Sequence, residues 1–136
     1  MKSAELMQMR AIVKNYKSAK AKKLATQKLL MDNQNKCKLL LEKQQYPKVL
    51  EYELCINANK RELALQQSEV KKVDLILEFI QKSQKPQHYQ MFYEYCFEGK
   101  NQVRIANRYN YSSTTTSVII RKIATLFLEY WKKFKF

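Results

Sequence analysis

Apolar residues recur at alternating spacings of three and four through the middle of the chain. Ten positions between residues 49 and 80 follow this spacing, and eight of them are apolar. Such a heptad seam is typical of a coiled-coil helix, which packs the seam against another helix. The apolar positions are Val49, Tyr52, Ile56, Leu63, Val70, Val73, Leu77 and Ile80. Asn59 and Gln66 occupy the other two positions, where a buried amide fixes register at a cost in stability.

Two kinds of partner fit this seam. One is a second copy of the chain, which would make the eight apolar residues an oligomerisation surface and the protein a homodimer. The other is the chain's own N-terminal helix, within residues 3–31. A second apolar flank widens the face and suits packing against two neighbours; it consists of Leu50, Leu54, Ala58 and Leu65.

The N-terminal third also has a helical pattern. Apolar residues at spacings of three and four predict a helix over residues 3–31. Asp32, Asn33 and Asn35 are poor helix formers and predict a break or kink. A second short helix is expected over residues 36–45, ending at Tyr46 because the residue before a proline avoids the α region.

The C-terminal third begins with a further helix. Pro86 suits a first turn, and an aromatic stripe follows it at helical spacings: Tyr89, Phe92, Tyr93, Cys96 and Phe97. Gly99 is expected to end this helix. The predicted fold is therefore all-α, with a helical N-terminal or oligomerisation region at residues 1–85 and a three-helix domain at residues 86–136.

The next two helices have the pattern of a helix-turn-helix. Ile105 and Ala106 pair an apolar residue with a small one, where a following helix can cross closely. Asn110 falls at the turn, where it tolerates a positive φ better than most residues. Ser112 or Ser113 can cap the helix that follows. This arrangement is typical of helix pairs that contact DNA.

The last helix, predicted over residues 113–130, divides into two faces at about 100° per residue. The core side consists of Thr116, Ile119, Ile120, Ile123, Phe127 and Tyr130. The outer side carries small polar groups, a valine and an arginine: Ser113, Thr114, Ser117, Val118 and Arg121, with Thr125 beyond them. Hydroxyls can bond base edges, valine can contact a thymine methyl, and arginine pairs with guanine. Gln102 and Arg104, in the preceding helix, can contact phosphates. The alternative is an ordinary solvated helix face.

Charge strengthens the first interpretation. The 136 residues carry a net charge of +14. Residues 1–45 hold 11 lysines or arginines against 3 acids, residues 46–85 hold 7 against 6, and residues 86–136 hold 8 against 3. Because both ends are basic, a polyanion such as double-stranded DNA is the expected partner.

The composition offers few residues for catalysis or metal binding. Cys37, Cys55 and Cys96 are scattered and odd in number, which fits reduced thiols in a cytoplasm. His88 is the only histidine. The sequence has no glycine-rich phosphate loop, no cluster of metal ligands, no signal peptide and no apolar run of about 20 residues. We therefore expect no enzyme, no cofactor, no metal and no membrane span.

The segment from about Tyr89 to Phe127 resembles region four of sigma factors. It resembles more strongly the small phage regulators of the ArpU/RinA type, which activate late genes in phages of Gram-positive bacteria. FYEYCFEGKNQ, RIANRYNYSSTT and SVIIRKIATLF carry the resemblance. It implies base contacts by Ser113, Thr114, Ser117 and Arg121 and phosphate contacts by Gln102, Arg104 and Lys122. It also implies transcription control from a phage or prophage in a bacterial cytoplasm, with contact to RNA polymerase.

The sequence thus predicts a sequence-specific DNA-binding regulator. One alternative is a DNA-packaging or DNA-organising oligomer, like a small terminase subunit, although the DNA-binding unit of those proteins usually comes first in the chain. Another is a basic helical protein that binds a protein or an anionic membrane surface through Lys17–Lys23. Ring-sized oligomers would favour the former, and failure to bind DNA at low salt the latter.

Overall fold

The structure, a computed structural model, describes residues 4–134, and all regular structure in that part of the chain is helical. The predicted all-α class is therefore confirmed. The five helices are α1 (Ala4–Glu42), α2 (Tyr46–Ser83), α3 (Pro86–Cys96), α4 (Gln102–Tyr109) and α5 (Ser113–Lys133).

Helix α1 is longer than predicted. It runs without interruption through residues 32–35, so the predicted break and the separate helix at residues 36–45 are wrong. The physical reason lies in tertiary contacts, which outweigh low intrinsic helix propensity. The Asn33 side-chain amide donates a hydrogen bond of 2.9 Å to Asn59 Oδ1 on α2. Asn33 thus belongs to the contact between the two helices and does not mark the end of one.

The chain divides into two compact units. One unit is Tyr16–Lys71, and the other combines residues 4–15 with residues 72–134. The domain boundary predicted between residues 85 and 86 stays a prediction, because compact packing does not measure which segment folds alone.

The unit Tyr16–Lys71 is a hairpin of two helical segments joined by a tight turn. Gln44 has a φ of 57° in this turn, and the Gln45 amide donates to Leu40 O at 3.0 Å. Its core includes Cys37 of α1 together with Val49 and Ile56 of α2, and Leu30, Leu40 and Tyr52 pack against them.

The seam of α2 is therefore covered by the chain itself in this unit. Val49, Ile56 and Val70 are buried, and so are the polar seam residues Asn59 and Gln66. Tyr52 and Leu63 are half-buried. The remaining seam residues, Val73, Leu77 and Ile80, are buried in the other unit. This packing favours the intramolecular alternative, and a homodimer through the seam stays an untested prediction.

In the other unit, helices α3, α4 and α5 pack against one another. Met91, Ile105 and Ile120, one from each helix, are almost completely buried together. The beginning of α1 and the end of α2 belong to the same unit. Lys72 Nζ lies 3.8 Å from the centroid of the Trp131 ring, which joins the end of α2 to α5.

Candidate nucleic-acid interface

The connection between α4 and α5 is a tight left-handed turn. Asn110 adopts φ 61° and ψ 39°, and its amide donates to Ala106 O. The Tyr111 amide donates to the same carbonyl at 3.0 Å. This pair of bonds satisfies the end of α4 in the manner of a Schellman turn. The positive φ of Asn110 agrees with the sequence pattern, which placed Asn110 at this turn.

Side-chain caps fix where both helices begin. The Asn101 Oδ1 atom accepts from the Val103 amide at 2.8 Å at the start of α4. Ser112 Oγ accepts from the Thr115 amide at 3.1 Å at the start of α5, so Ser112 is the cap and Ser113 the first helical residue. Gln102 Nε2 donates to Ser113 O at 3.1 Å and ties the two starts together.

The two faces of α5 lie where the sequence placed them. On the core side Thr116, Ile120, Ile123 and Phe127 are buried, while Ile119 and Tyr130 are half-buried. On the outer side Ser113, Thr114, Val118 and Arg121 are exposed and Ser117 is half-buried. We call these last five residues the outer face of α5. Val118 is 61% exposed, which leaves its methyl groups accessible.

The outer face continues into an open depression of about 650 Å³. Ser117, Val118 and Arg121 line it together with the next turns of α5, which contribute Lys122, Thr125, Leu126 and Glu129. At the C-terminal end of this depression a carboxylate lies against α5: the Thr125 hydroxyl donates a hydrogen bond of 2.7 Å to Glu5 Oε2 of α1. The polar and cationic part of the face is therefore its N-terminal two and a half turns.

The predicted phosphate-contacting residues differ in availability. Arg104 and Lys122 are exposed. Among residues 4–134 neither of them, nor Arg121, forms an ion pair with a carboxylate. Gln102 is half-buried and its amide is engaged with Ser113 O, so its first role is structural.

The sequence did not predict that Glu94 would organise this region. Its side chain is only 3% exposed. Lys100 Nζ donates to Oε1 at 2.9 Å, Arg108 also donates to Oε1, and the Tyr109 hydroxyl donates to Oε2 at 2.7 Å. One carboxylate on α3 thereby holds both ends of the segment that contains α4.

Charge and hydrogen bonding keep Glu94 ionised. Burial raises the pKa of Glu94, but the hydrogen bonds from Lys100 and Tyr109 and the charges of Arg108 and Lys100 outweigh it, so the pKa lies below its ordinary value. The hydrogen bond to Glu94 in turn raises the pKa of Lys100.

Arg108 is a further cation that sequence reasoning missed. It lies one turn after Arg104 on α4, and the two line one shallow depression with Lys100 and Asn107. Its side chain remains 61% exposed while it pairs with Glu94. The i, i+4 spacing of the two arginines was the available signal, since such residues share one helix face.

No group of three or more histidine, cysteine or acidic side chains within residues 4–134 is placed to hold a metal ion. Within the same residues, no helix combines the length and apolar character needed to cross a membrane. Comparison with known proteins found no matching family model, no matching characterised protein and no matching solved structure.

Proposed function

We propose that the protein is a sequence-specific DNA-binding regulator of transcription. In this proposal α4 and α5 form a helix-turn-helix, and α5 enters the major groove with its outer face. The observation that carries the proposal is the composition of this exposed face. Short hydroxyl side chains allow close approach to the groove floor, while Val118 and Arg121 supply the contacts that distinguish thymine and guanine.

Phosphate contacts would set the position of α5 in the groove. Arg104 and Lys122 are exposed cations without a carboxylate partner in the described part of the chain. Arg108 adds a third cation on the same side of α4 as Arg104. Such contacts provide affinity and orientation without distinguishing sequences.

The biological setting of the proposal comes from the resemblance to ArpU/RinA regulators. It is a phage- or prophage-encoded regulator, acting in the cytoplasm of a bacterial host and contacting RNA polymerase. A homodimer would place two α5 helices on half-sites about 34 Å apart or a multiple of that distance.

A selection of binding sites from random duplex DNA tests the proposal. It is done at about 150 mM salt, where sequence-blind contacts are weakened. Wild type is compared with Arg121→Ala and with Lys28→Ala, an exposed lysine of α1 that gives the same loss of charge. We expect wild type and Lys28→Ala to select one motif. Arg121→Ala should lose discrimination at one base pair, equivalent to about 1–3 kcal/mol.

Two results would contradict the proposal. If wild type selects no motif and binds all duplexes alike, the protein is not a sequence-specific regulator. If a motif emerges but Arg121→Ala and Lys28→Ala select it equally well, the outer face of α5 does not distinguish its bases.

A further inference from the structure

The hairpin Tyr16–Lys71 leaves an unusual amount of apolar surface exposed. It contains nine of the fourteen large apolar side chains that are exposed in the described part of the chain, although it holds fewer than half of those residues. Its own core is interrupted by the buried polar residues Thr26, Asn59 and Gln66. Contiguous exposed apolar surface on a soluble protein marks a candidate interaction surface.

Four of the exposed apolar residues on α2 lie in line. Leu50, Leu54 and Leu65 are 59%, 62% and 68% exposed, and Ala58 is exposed between them. At about 100° per residue, these four positions fall within an arc of about 80° on the side of α2 away from its seam, so the prediction that they widen the apolar face of the seam is wrong. We call them the outer stripe of α2. The seam of this unit is covered by α1, whereas among residues 4–134 the outer stripe stays exposed.

We propose that the outer stripe of α2 is a self-association surface on which a second copy of the chain packs its own outer stripe, antiparallel. A two-fold axis requires the same patch on both copies. An antiparallel register that sets Leu50 opposite Leu65 of the second copy places the whole stripe of one copy against the same stripe of the other. It also brings the small Ala58 close to the axis, where the helices approach most closely.

The charged residues of the stripe fit the same register. Arg61 lies within the arc of the stripe and forms no ion pair among the described residues. In the antiparallel register it lies opposite Leu54 of the second copy, within one helical turn of that copy's Glu51. This gives each Arg61 an acidic neighbour across the axis, and a self-complementary pattern of this kind favours a second copy over an unrelated protein.

The area of the outer stripe indicates how strong the self-association can be. The stripe extends over about 24 Å of helix about 10 Å wide, which is well below the roughly 800 Å² per partner of a standard stable interface. The association is therefore weak and reversible, in the micromolar range or weaker. It concerns the free protein and does not depend on DNA binding.

Light scattering of the full chain tests the inference across about 10 µM to 1 mM, a range that spans weak dissociation constants. We expect the mass to rise from 16.3 kDa toward twice that value. The double variant Leu50→Lys/Leu54→Lys should weaken dimerisation by at least about 10-fold, because it places charges in the apolar contact. The control is Leu24→Lys on α1, which is also 68% exposed.

A spin label on Cys55 gives an independent readout. Cys55 is exposed and lies beside the outer stripe, whereas Cys37 is buried. With helix axes about 8–10 Å apart, the antiparallel register keeps the two labelled positions within roughly 20 Å. We expect dipolar coupling in the labelled wild type and loss of it in the double variant, with helical content unchanged by circular dichroism.

The inference is overturned if the mass stays at that of one chain over the whole range. It is also overturned if Leu24→Lys weakens association as much as the double variant, since the contact would then involve α1. Either result leaves the proposed DNA-binding function standing, because the site selection measures that function separately.

Discussion

At the scale of single residues, Glu94 shows how one buried carboxylate fixes both ends of the segment that contains α4. It accepts hydrogen bonds from Lys100, which precedes α4, and from Arg108 and Tyr109 at the end of α4. Arg108 and Lys100 remain partly exposed, at 61% and 32% of their side chains. The cations therefore keep solvent-facing donors for phosphate while Glu94 fixes their position.

The ionisation of Glu94 leads to a pH-dependent stability. Because its folded pKa is lowered, it stabilises the fold above the unfolded value, about 4.3, and this contribution is lost as pH falls through the folded pKa. Glu94→Gln should cost about 1–3 kcal/mol at neutral pH. The variant should also lose part of the acid-dependent fall in Tm. Thermal melts from pH 7 down to about pH 3 measure both effects.

Glu98→Gln is the matched control for this prediction. The Glu98 side chain is 38% exposed, and its only ion pair among the described residues is with Lys100, at 3.5 Å. It should change stability by less than about 0.5 kcal/mol, as exposed ion pairs usually do. Equal effects of the two substitutions would show that the buried carboxylate is not what stabilises α4.

The three cysteines should differ strongly in reactivity. Burial raises the pKa of Cys96 to about 12, and the nearby Arg10 cation offsets this only in part. Cys37 is buried and Cys55 is exposed. Since the thiolate is the reactive form, native protein at neutral pH should take up one alkylating group quickly, at Cys55. Peptide mass spectrometry locates the label, and rapid labelling of Cys96 would contradict the burial of its thiol.

At the scale of helices, local signals in the sequence predicted termini better than they predicted packing. Ser112 and Asn110 lie at helix ends where short-range hydrogen bonds decide the backbone, and their roles could be predicted from neighbouring residues alone. The continuity of α1 could not. Asp32 to Asn35 favour a break locally, whereas the contacts that favour a continuous helix, such as the hydrogen bond from Asn33 to Asn59, come from residues distant in the sequence.

For a related reason, the sequence left two partners open for the α2 seam, a second copy of the chain and the chain's own N-terminal helix. The side of α1 that faces the core of its unit includes Thr26, which is buried, and the half-buried Lys23 and Asn33. These polar residues conceal the heptad pattern of α1 from a hydrophobicity count. The outer face of α5 was easier to predict, because its polar and apolar residues separate cleanly. Glu94 was missed since its partners lie 6, 14 and 15 residues away.

The left-handed turn at Asn110 gives a test at this scale. A left-handed conformation costs most residues about 1–2 kcal/mol, while glycine adopts it freely. Asn110→Ala should therefore lower the free energy of unfolding by about 1 kcal/mol, and Asn110→Gly should leave it unchanged or raise it slightly. Denaturant titration of both variants measures the difference.

Asn107, an exposed residue within α4, is the control position for the relative stability of the alanine and glycine variants. Within a helix alanine is favoured over glycine by about 1 kcal/mol. Asn107→Ala should thus be more stable than Asn107→Gly, the reverse of the order at position 110. The same order at both positions would show that the turn does not require a positive φ.

At the scale of the whole molecule, the question is whether the net charge of +14 acts as a diffuse attraction or through particular contacts. Both ends of the chain are basic, so a polyanion would be attracted even without the proposed interface. The salt dependence of binding separates the two cases. The plot of log K against log salt has a negative slope, and each phosphate contact that is lost reduces the magnitude of this slope by about 0.9.

The triple variant Arg104→Gln, Arg121→Gln, Lys122→Gln should reduce the magnitude of this slope by about 1.8 from the two proposed phosphate contacts, and by about 2.7 if Arg121 also neutralises a phosphate. The control removes the same charge from α1, through Lys28→Gln, Lys36→Gln and Lys38→Gln, which are exposed in the hairpin unit. Fluorescence anisotropy with one duplex at several salt concentrations measures both slopes. A control slope reduced as much as that of the triple variant would mean that DNA senses the charge of the whole chain. A slope changed only by the triple variant would locate the contacts on α4 and α5, where the bases are proposed to be distinguished.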